Sequence, residues 1–289
     1  MAKWTADDLP DMTGKTVLVT GASGGLGLIA AREFGRVGAR VVAGVRNVDK
    51  GIEAISGMSG VFEARHLDVS DLDSVRQFAS SWTGGLDILV NNAGVMDIPL
   101  ARTPQGFDVQ TATNYLGPFL LTNLLLPRIS DRVVSVTSQL HRQGQVQLDD
   151  LAWRSRKYHR MRAYYDSKLE IVLFSCELQR RLTASGSPVR SVLAHPGIAS
   201  TSLAAHSSSN VINRLGFLIN NPERGALPTL YAATQDVPGN AYVGPDGPGS
   251  IRGYPTVRKQ SSAGLDETTA RNLWYATGAL TGVGNEVTR

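Results

Sequence analysis

Tyr164 and Lys168 stand four residues apart in the run Ala163-Tyr-Tyr-Asp-Ser-Lys-Leu-Glu170. On a helix, positions i and i+4 share a face, so a phenol and an ammonium point at one spot. A phenol, with a pKa of about 10, is a poor base and a mismatched acid at neutral pH. Bringing it to neutrality takes about 3–4 kcal/mol of preferential stabilisation of the phenolate. A neighbouring ammonium can supply it, so the pair reads as a proton donor tuned by a cation. Tyr165 does not qualify, because its i+4 partner is Leu169.

Such a pair is common by chance and gains meaning from a second feature upstream. The turn Thr20-Gly-Ala-Ser-Gly-Gly-Leu-Gly27 closes the apolar run Thr16-Val-Leu-Val-Thr20. Small residues there let the backbone bend sharply and approach a pyrophosphate. A following helix offers unpaired N–H groups and a positive dipole end to the same anion. The run Gly25-Leu-Gly27-Leu-Ile-Ala30 satisfies the G-x-G-x-x-A form, and Gly21, Ser23, Gly24, Gly25, Leu26 and Gly27 are cofactor-contact candidates.

The end of the second strand discriminates between cofactors. A carboxylate about 20 positions past the glycines would accept the ribose hydroxyls of NAD. Here the region reads Gly44-Val-Arg46-Asn47, without one. Arg46 suits a 2′-phosphate through a charge-assisted contact, so NADP(H) is favoured over NAD(H), with Arg46 and Asn47 as contacts. Asp49 competes, but its position suits a helix N-terminus.

Strands and helices alternate around these residues. Apolar strand-like runs fall at 16–20, 40–44, 61–66, 86–90, 132–137 and 189–194, and 240–243 suits an edge strand. Helical spacing falls at 26–37, 72–82, 107–126 and 161–182. Strands apolar throughout and separated by helices belong in a parallel sheet buried on both faces. The expected fold is α/β, a doubly wound parallel sheet of Rossmann type in a single domain spanning 1–289. A segment at about 197–222 reads as a substrate-covering loop. The Gly- and Pro-rich C-terminal segment, about 237–289, begins as surface loop.

In this order the motifs resemble a classical member of the short-chain dehydrogenase/reductase family. They are the glycine turn, Asp68-Val69, Asn91-Asn-Ala-Gly94, Asn114, Ser138, Tyr164-x-x-x-Lys168 and Pro196-Gly-Ile-Ala-Ser-Thr201, spread over nearly the whole chain. The resemblance implies that Ser138 polarises the substrate oxygen and Tyr164 passes it a proton. Lys168 would lower the Tyr164 pKa and hold the nicotinamide ribose, and Asn114 would anchor a proton-relaying water. Asp68 and Val69 would contact adenine; Asn91, Ala93 and Gly94 would line the cofactor floor. Pro196, Gly197, Ile198 and Thr201 would lie at the nicotinamide, with Ile198 and Thr201 at its carboxamide. Twenty-six positions separate Ser138 from Tyr164, a wide spacing similar to the retinol-dehydrogenase and protochlorophyllide-reductase-like branch.

That wide interval carries Arg154, Arg156, Lys157, His159, Arg160 and Arg162, read as a solvated lid or loop. The alternative is a surface that attracts an acidic substrate or an anionic membrane. Met96, Ile98 and Leu140 beside motif residues, and the apolar second half of the 197–222 loop, suit an apolar pocket. His141 lies close enough to Ser138 to touch substrate. The five histidines lack metal-site spacing, so no metal is expected.

A formal charge of +4 over 289 residues gives no reason to expect nucleic-acid binding. No stretch has the apolar length of a membrane span. The single cysteine, Cys176, suits a reducing cytoplasm and reads as a buried structural thiol. The partner is thus a small, apolar carbonyl or alcohol, and a homo-oligomer is compatible with the chain. Two other readings share the scaffold: a non-catalytic NADP(H)-binding sensor, and a carbon–carbon double-bond reductase.

Overall fold

The computed structural model describes residues 3–198 and 221–283. The first strand, β1 (Thr16–Thr20), leads into α1 (Gly25–Arg36), then β2 (Arg40–Val45), α2 (Val48–Ile55) and β3 (Val61–His66). Next come α3 (Leu72–Ser80) and β4 (Leu86–Asn91). A short helix, α4 (Val109–Thr111), runs through a π-helical turn (Ala112–Leu116) into α5 (Gly117–Leu125). Then β5 (Ile129–Val136), α6 (Arg160–Ala184) and β6 (Arg190–Ala194) follow. The remaining elements are α7 (Pro222–Thr234), β7 (Tyr242–Pro245), β8 (Pro255–Arg258) and α8 (Glu267–Thr281).

These strands form one eight-stranded sheet in the order β3-β2-β1-β4-β5-β6-β7-β8. Every pairing is parallel except that of β7 with β8. Alternate side chains bury both faces. Val17 and Val19 of β1 join α1 and α7 through Phe34, Ala226 and Leu230. Leu18 faces the other way, toward the core built by α3, α5, α6 and α8. There Phe119, Phe174 and Trp274 meet with ring centroids 5.0–5.7 Å apart. Burial on both sides explains why the strands lack polar alternation.

The C-terminal segment differs from a loop or tail. It supplies β7, an antiparallel edge strand β8 that begins at Pro255, and α8, whose Leu273 and Trp274 are core. The strand near 240–243 is therefore interior, with β8 outside it. Prolines are tolerated in such an edge strand because one side needs no N–H donor.

In the basic run before α6, Arg154, Lys157, His159, Arg160 and Arg162 are exposed, as in a solvated loop, while its middle is held to the body. Asp150 accepts the N–H groups of Arg154, Ser155 and Arg156. Arg156 pairs with fully buried Asp166 at 3.0 Å and lies 3.4 Å over the Trp153 ring. His159 caps α6 by accepting from Arg162 N. The run is a strap fixed to the body.

Inside α6, Glu170 is fully buried and neither carboxylate oxygen has a partner. Burial, then the nearby Asp166 and Asp108, holds its pKa well above the ordinary 4.5. Above that ordinary value the unfolded chain releases the proton and the folded chain keeps it, so stability falls as pH rises. Glu170→Gln should therefore be more stable than the parent at neutral pH by about 2 kcal/mol, with the gap closing under acid. Urea unfolding on either side of the ordinary carboxyl pKa measures this; a gap that ignores pH would contradict a protonated Glu170.

Candidate active site

The crevice for a ligand lies at the carboxyl ends of β1 and β4, where the strand order reverses. Thr20 ties the two ends together. Its Oγ1 accepts the N–H groups of Asn92 and Ala93, each at 3.0 Å, while Asn92 Nδ2 donates to the Thr20 carbonyl at 2.8 Å. The glycine turn packs so closely on this joint that a Cβ at Gly27 would stand 2.4 Å from Asn92 Nδ2. Gly25 adopts φ +56, a left-handed conformation that glycine reaches without strain.

This turn fits a pyrophosphate. A Cβ on Gly24 or Gly25 would meet nothing within 4 Å, so open space fronts the N-terminus of α1. Gly24 is the N-cap and offers no side-chain hydrogen bond, which leaves the first N–H groups of a 12-residue helix for an anion. Ser23 is exposed, and Leu26 half-buried, on the same turn.

At the end of β2, Arg46 is exposed and no ion pair or hydrogen bond engages its side chain among the described residues. The Asn47 side chain serves the fold, since its Oδ1 accepts Lys50 N at 2.9 Å and caps α2. Asp68 holds its own turn by accepting Ser70 N and Oγ at 2.9 and 2.6 Å, and Asp71 is the residue that caps α3. Val69 is buried beside it. Asn91 is buried at the end of β4, its Nδ2 donating to Thr122 of α5 at 2.9 Å. The joint at the crevice is made by Asn92 instead.

Four side chains meet beyond the ends of β4 and β5. Ser138 lies two residues past β5, where its Oγ accepts Leu140 N at 3.3 Å and its hydroxyl faces the Tyr164 phenol. Lys168 Nζ lies 5.8 Å from the Tyr164 ring centroid and donates to Val136 O at 3.1 Å. A Cβ at Gly94 would reach Asn114 Oδ1 at 3.2 Å and Lys168 Nζ at 3.5 Å, so these two side chains flank one spot. Asn114 sits in the π-helical turn and grips Val95 twice, accepting from its N–H at 2.8 Å and donating to its carbonyl at 2.9 Å.

Sequence reasoning missed two supporting residues. Ser167 accepts from Asn114 Nδ2 at 3.0 Å and donates to the Tyr164 carbonyl at 2.8 Å. Thr137 Oγ1 donates to the Lys168 carbonyl at 2.9 Å. A hydroxyl three residues after Tyr164 can reach its carbonyl on a helix, a signal present in the sequence.

Burial sets the protonation states. It pushes the Tyr164 phenol up to about 12 while the Ser138 hydrogen bond pulls the other way, and it pushes Lys168 down to about 8. The side chains alone thus keep Tyr164 protonated, opposite in direction to the lowering expected from its cation. A protonated phenol is a proton donor toward a forming alkoxide.

Around this centre, His141 does not face the crevice. It is fully buried, its Nδ1 donating to the Ser138 carbonyl at 2.7 Å and its Nε2 bonded to Ser261 Oγ at 2.9 Å. Pro196 and Gly197 follow β6, with Gly197 at φ +75, and Ile198 is 49% exposed. Thr201 and nearly all of the 197–222 loop lie outside the described residues. Burial raises the Cys176 thiol to about 12, which makes it unreactive.

With the crevice, the glycine turn and the four side chains in place, relatives can be compared. The short chain dehydrogenase family matches residues 15–211. Retinol dehydrogenase 13 of Homo sapiens is 38% identical over 93% of this chain and 85% of its own length. Polyprenol dehydrogenase of Mus musculus is 36% identical over 96% of this chain and 86% of its own. A crystal structure of an uncharacterized protein from Mycobacterium Paratuberculosis shares 45% identity and a TM-score of 0.89, covering 100% of both chains. The chain belongs to the short-chain dehydrogenase family, in its retinol-dehydrogenase-like branch. It is an oxidoreductase of alcohol and carbonyl substrates in a family that binds NAD(P).

Lys168 gives a pH signature. Its folded pKa is about 8 against 10.5 in a free chain, so between those values the unfolded state binds the proton and the folded state does not. The stability of the parent relative to Lys168→Met should rise with pH across that window. Urea unfolding of both proteins checks it; a constant difference would mean Lys168 is not buried as a titrating amine.

Proposed function

We propose that the chain interconverts a carbonyl and an alcohol on an apolar small molecule, using NADP(H) in preference to NAD(H). The observation that carries this reading is the convergence of Asn114, Ser138, Tyr164 and Lys168 beside an anion-receptive glycine turn. A bound nicotinamide supplies or receives the hydride. Ser138 holds and polarises the substrate oxygen. Tyr164, protonated, gives its proton to that oxygen as it gains charge, and takes it back in the reverse direction. Lys168 holds the cofactor ribose and brings positive charge beside the phenol when the phenolate forms. Asn114 and Ser167 keep the loop at Val95 and the helix at Tyr164 in fixed register.

Arg46 supports the cofactor preference, being a free guanidinium at a strand end without a carboxylate. Retinol and polyprenol, named in the relatives, are apolar alcohols. A lone, partly buried thiol agrees with a cytoplasmic setting, and no described helix is long and apolar enough to cross a membrane.

Steady-state reduction of retinal, long-chain aldehydes and short polar ketones, followed by nicotinamide absorbance, tests these points together. The apolar aldehydes should be favoured, and kcat/KM should favour NADPH over NADH by about tenfold or more. Arg46→Asp should remove that preference; equal use of both cofactors by the parent would remove Arg46 from the argument. Tyr164→Phe should bind cofactor normally and lose turnover by about 10²–10⁴-fold. Turnover surviving in that variant would overturn the proton-donor role.

A further inference from the structure

Beyond the Ser138 turn lies a cavity of about 390 Å³ that neither Tyr164 nor the glycine turn lines, within the size range of small-ligand sites. Its walls include Gln139 and Arg142 after β5, Tyr242 of β7, Ser250, and Arg258 and Lys259 at the end of β8. Three of those six carry positive charge and none carries negative charge. No ion pair engages Arg142, Arg258 or Lys259 among the described residues. Residues 199–220, next to Ile198, contain neither Asp nor Glu, so that segment brings no counter-charge.

Two of the cations, Arg142 and Arg258, bond to neutral partners. Arg258 Nε donates to the buried Ser250 Oγ at 3.1 Å, which leaves its terminal nitrogens for another acceptor. Ser250 adopts φ +54, a conformation unusual for a residue with a side chain, while its carbonyl accepts from His195 Nε2 at 3.1 Å. Arg142 Nη2 donates to the Lys259 carbonyl at 3.3 Å, drawing two like charges to one wall. The Tyr242 hydroxyl donates to Gln139 Oε1 at 3.1 Å. The histidine rings flanking Tyr242, His141 and His195, are disfavoured as cations by burial, with Arg142 acting in the same direction.

Arg142 and Lys259 are exposed and Arg258 half-buried, and cations gathered on the walls of one cavity raise its positive potential and draw an anion to it. We propose that this cavity binds a carboxylate or phosphate group. Gln139 follows Ser138 directly, and Ile198 N donates to the carbonyl of Ile251 in the loop beside Ser250. A molecule held at Ser138 therefore has the cavity beside it, and its far end is one source of the anion. A free anion is the other. Only the first source rests on the reading of Ser138 as the holder of the substrate oxygen.

Calorimetry with inorganic phosphate on the parent and on the Arg142→Gln/Arg258→Gln double variant tests the site directly. Saturable binding in the parent, weakened about tenfold or more in the variant, is the expected result. A second measurement compares kcat/KM for a homologous series of aldehydes ended by methyl or by carboxylate. A parent preference for acid-ended members that the variant loses, with methyl-ended members unchanged, assigns the site to the substrate's tail. Phosphate binding without that preference assigns it to a free anion. Absence of both phosphate binding and acid preference refutes the site. If the double variant unfolds, Lys259→Gln, at an exposed position, repeats both measurements. Failure to reduce any aldehyde would sink the proposed activity, and the calorimetry would still decide the cavity.

Discussion

The site depends on how the end of β5 grips the middle of α6. Thr137 Oγ1 holds the Lys168 carbonyl and Lys168 Nζ holds the Val136 carbonyl, so backbone and side chain of one residue are both tied to the last residue of β5 and the one after it. That double tie fixes the height of the helix against the strand. Tyr164 lies one turn earlier on the same face, so it is set opposite Ser138 without further adjustment. Asn114 enters through a π-helical turn and locks the loop after β4 to the same point through Val95 and Ser167. Sliding the helix by one residue would separate the phenol from the serine, Thr137 from the Lys168 carbonyl and Asn114 from Ser167.

Much of this was legible in the chain. Apolar strands such as Val17–Val19 and Val133–Val134 carry the parallel pattern because both their faces are buried. The Tyr164–Lys168 spacing is a helical property and needs no tertiary information. What stayed hidden depends on long-range contacts. The helix α8 has core residues at Ala270, Leu273, Trp274 and Thr277, a helical period, but the glycines and prolines upstream suggest loop. The strand β8 begins with proline and finds its place only because β7 offers it an edge. Asn47 and Asn91 bear polar side chains at suggestive positions, yet one caps a helix and the other binds Thr122.

Charge was the least legible property. A run with Arg154, Arg156, Lys157, Arg160 and Arg162 looks like a basic surface, but its central guanidinium is engaged by a buried carboxylate and an indole face. Arg142, Arg258 and Lys259 are scattered over the sequence, and the fold gathers them around one cavity without neutralising them. Proximity in sequence therefore concealed the cationic cluster that the fold assembles.

The strap before α6 also bears on the chemistry at the other face of that helix. Asp166 lies between Tyr164 and Lys168 in sequence and points the opposite way, fully buried. Burial raises its pKa, and Arg156 opposes that shift by charge and by a 3.0 Å contact, while Gln145 N donates to the other carboxylate oxygen at 2.8 Å. A carboxylate left there without partners would weaken the turn that carries the phenol and the amine. The long interval between Ser138 and Tyr164 is the stretch that supplies both partners. Its length is thus accounted for by the back of the helix, through which it supports the front.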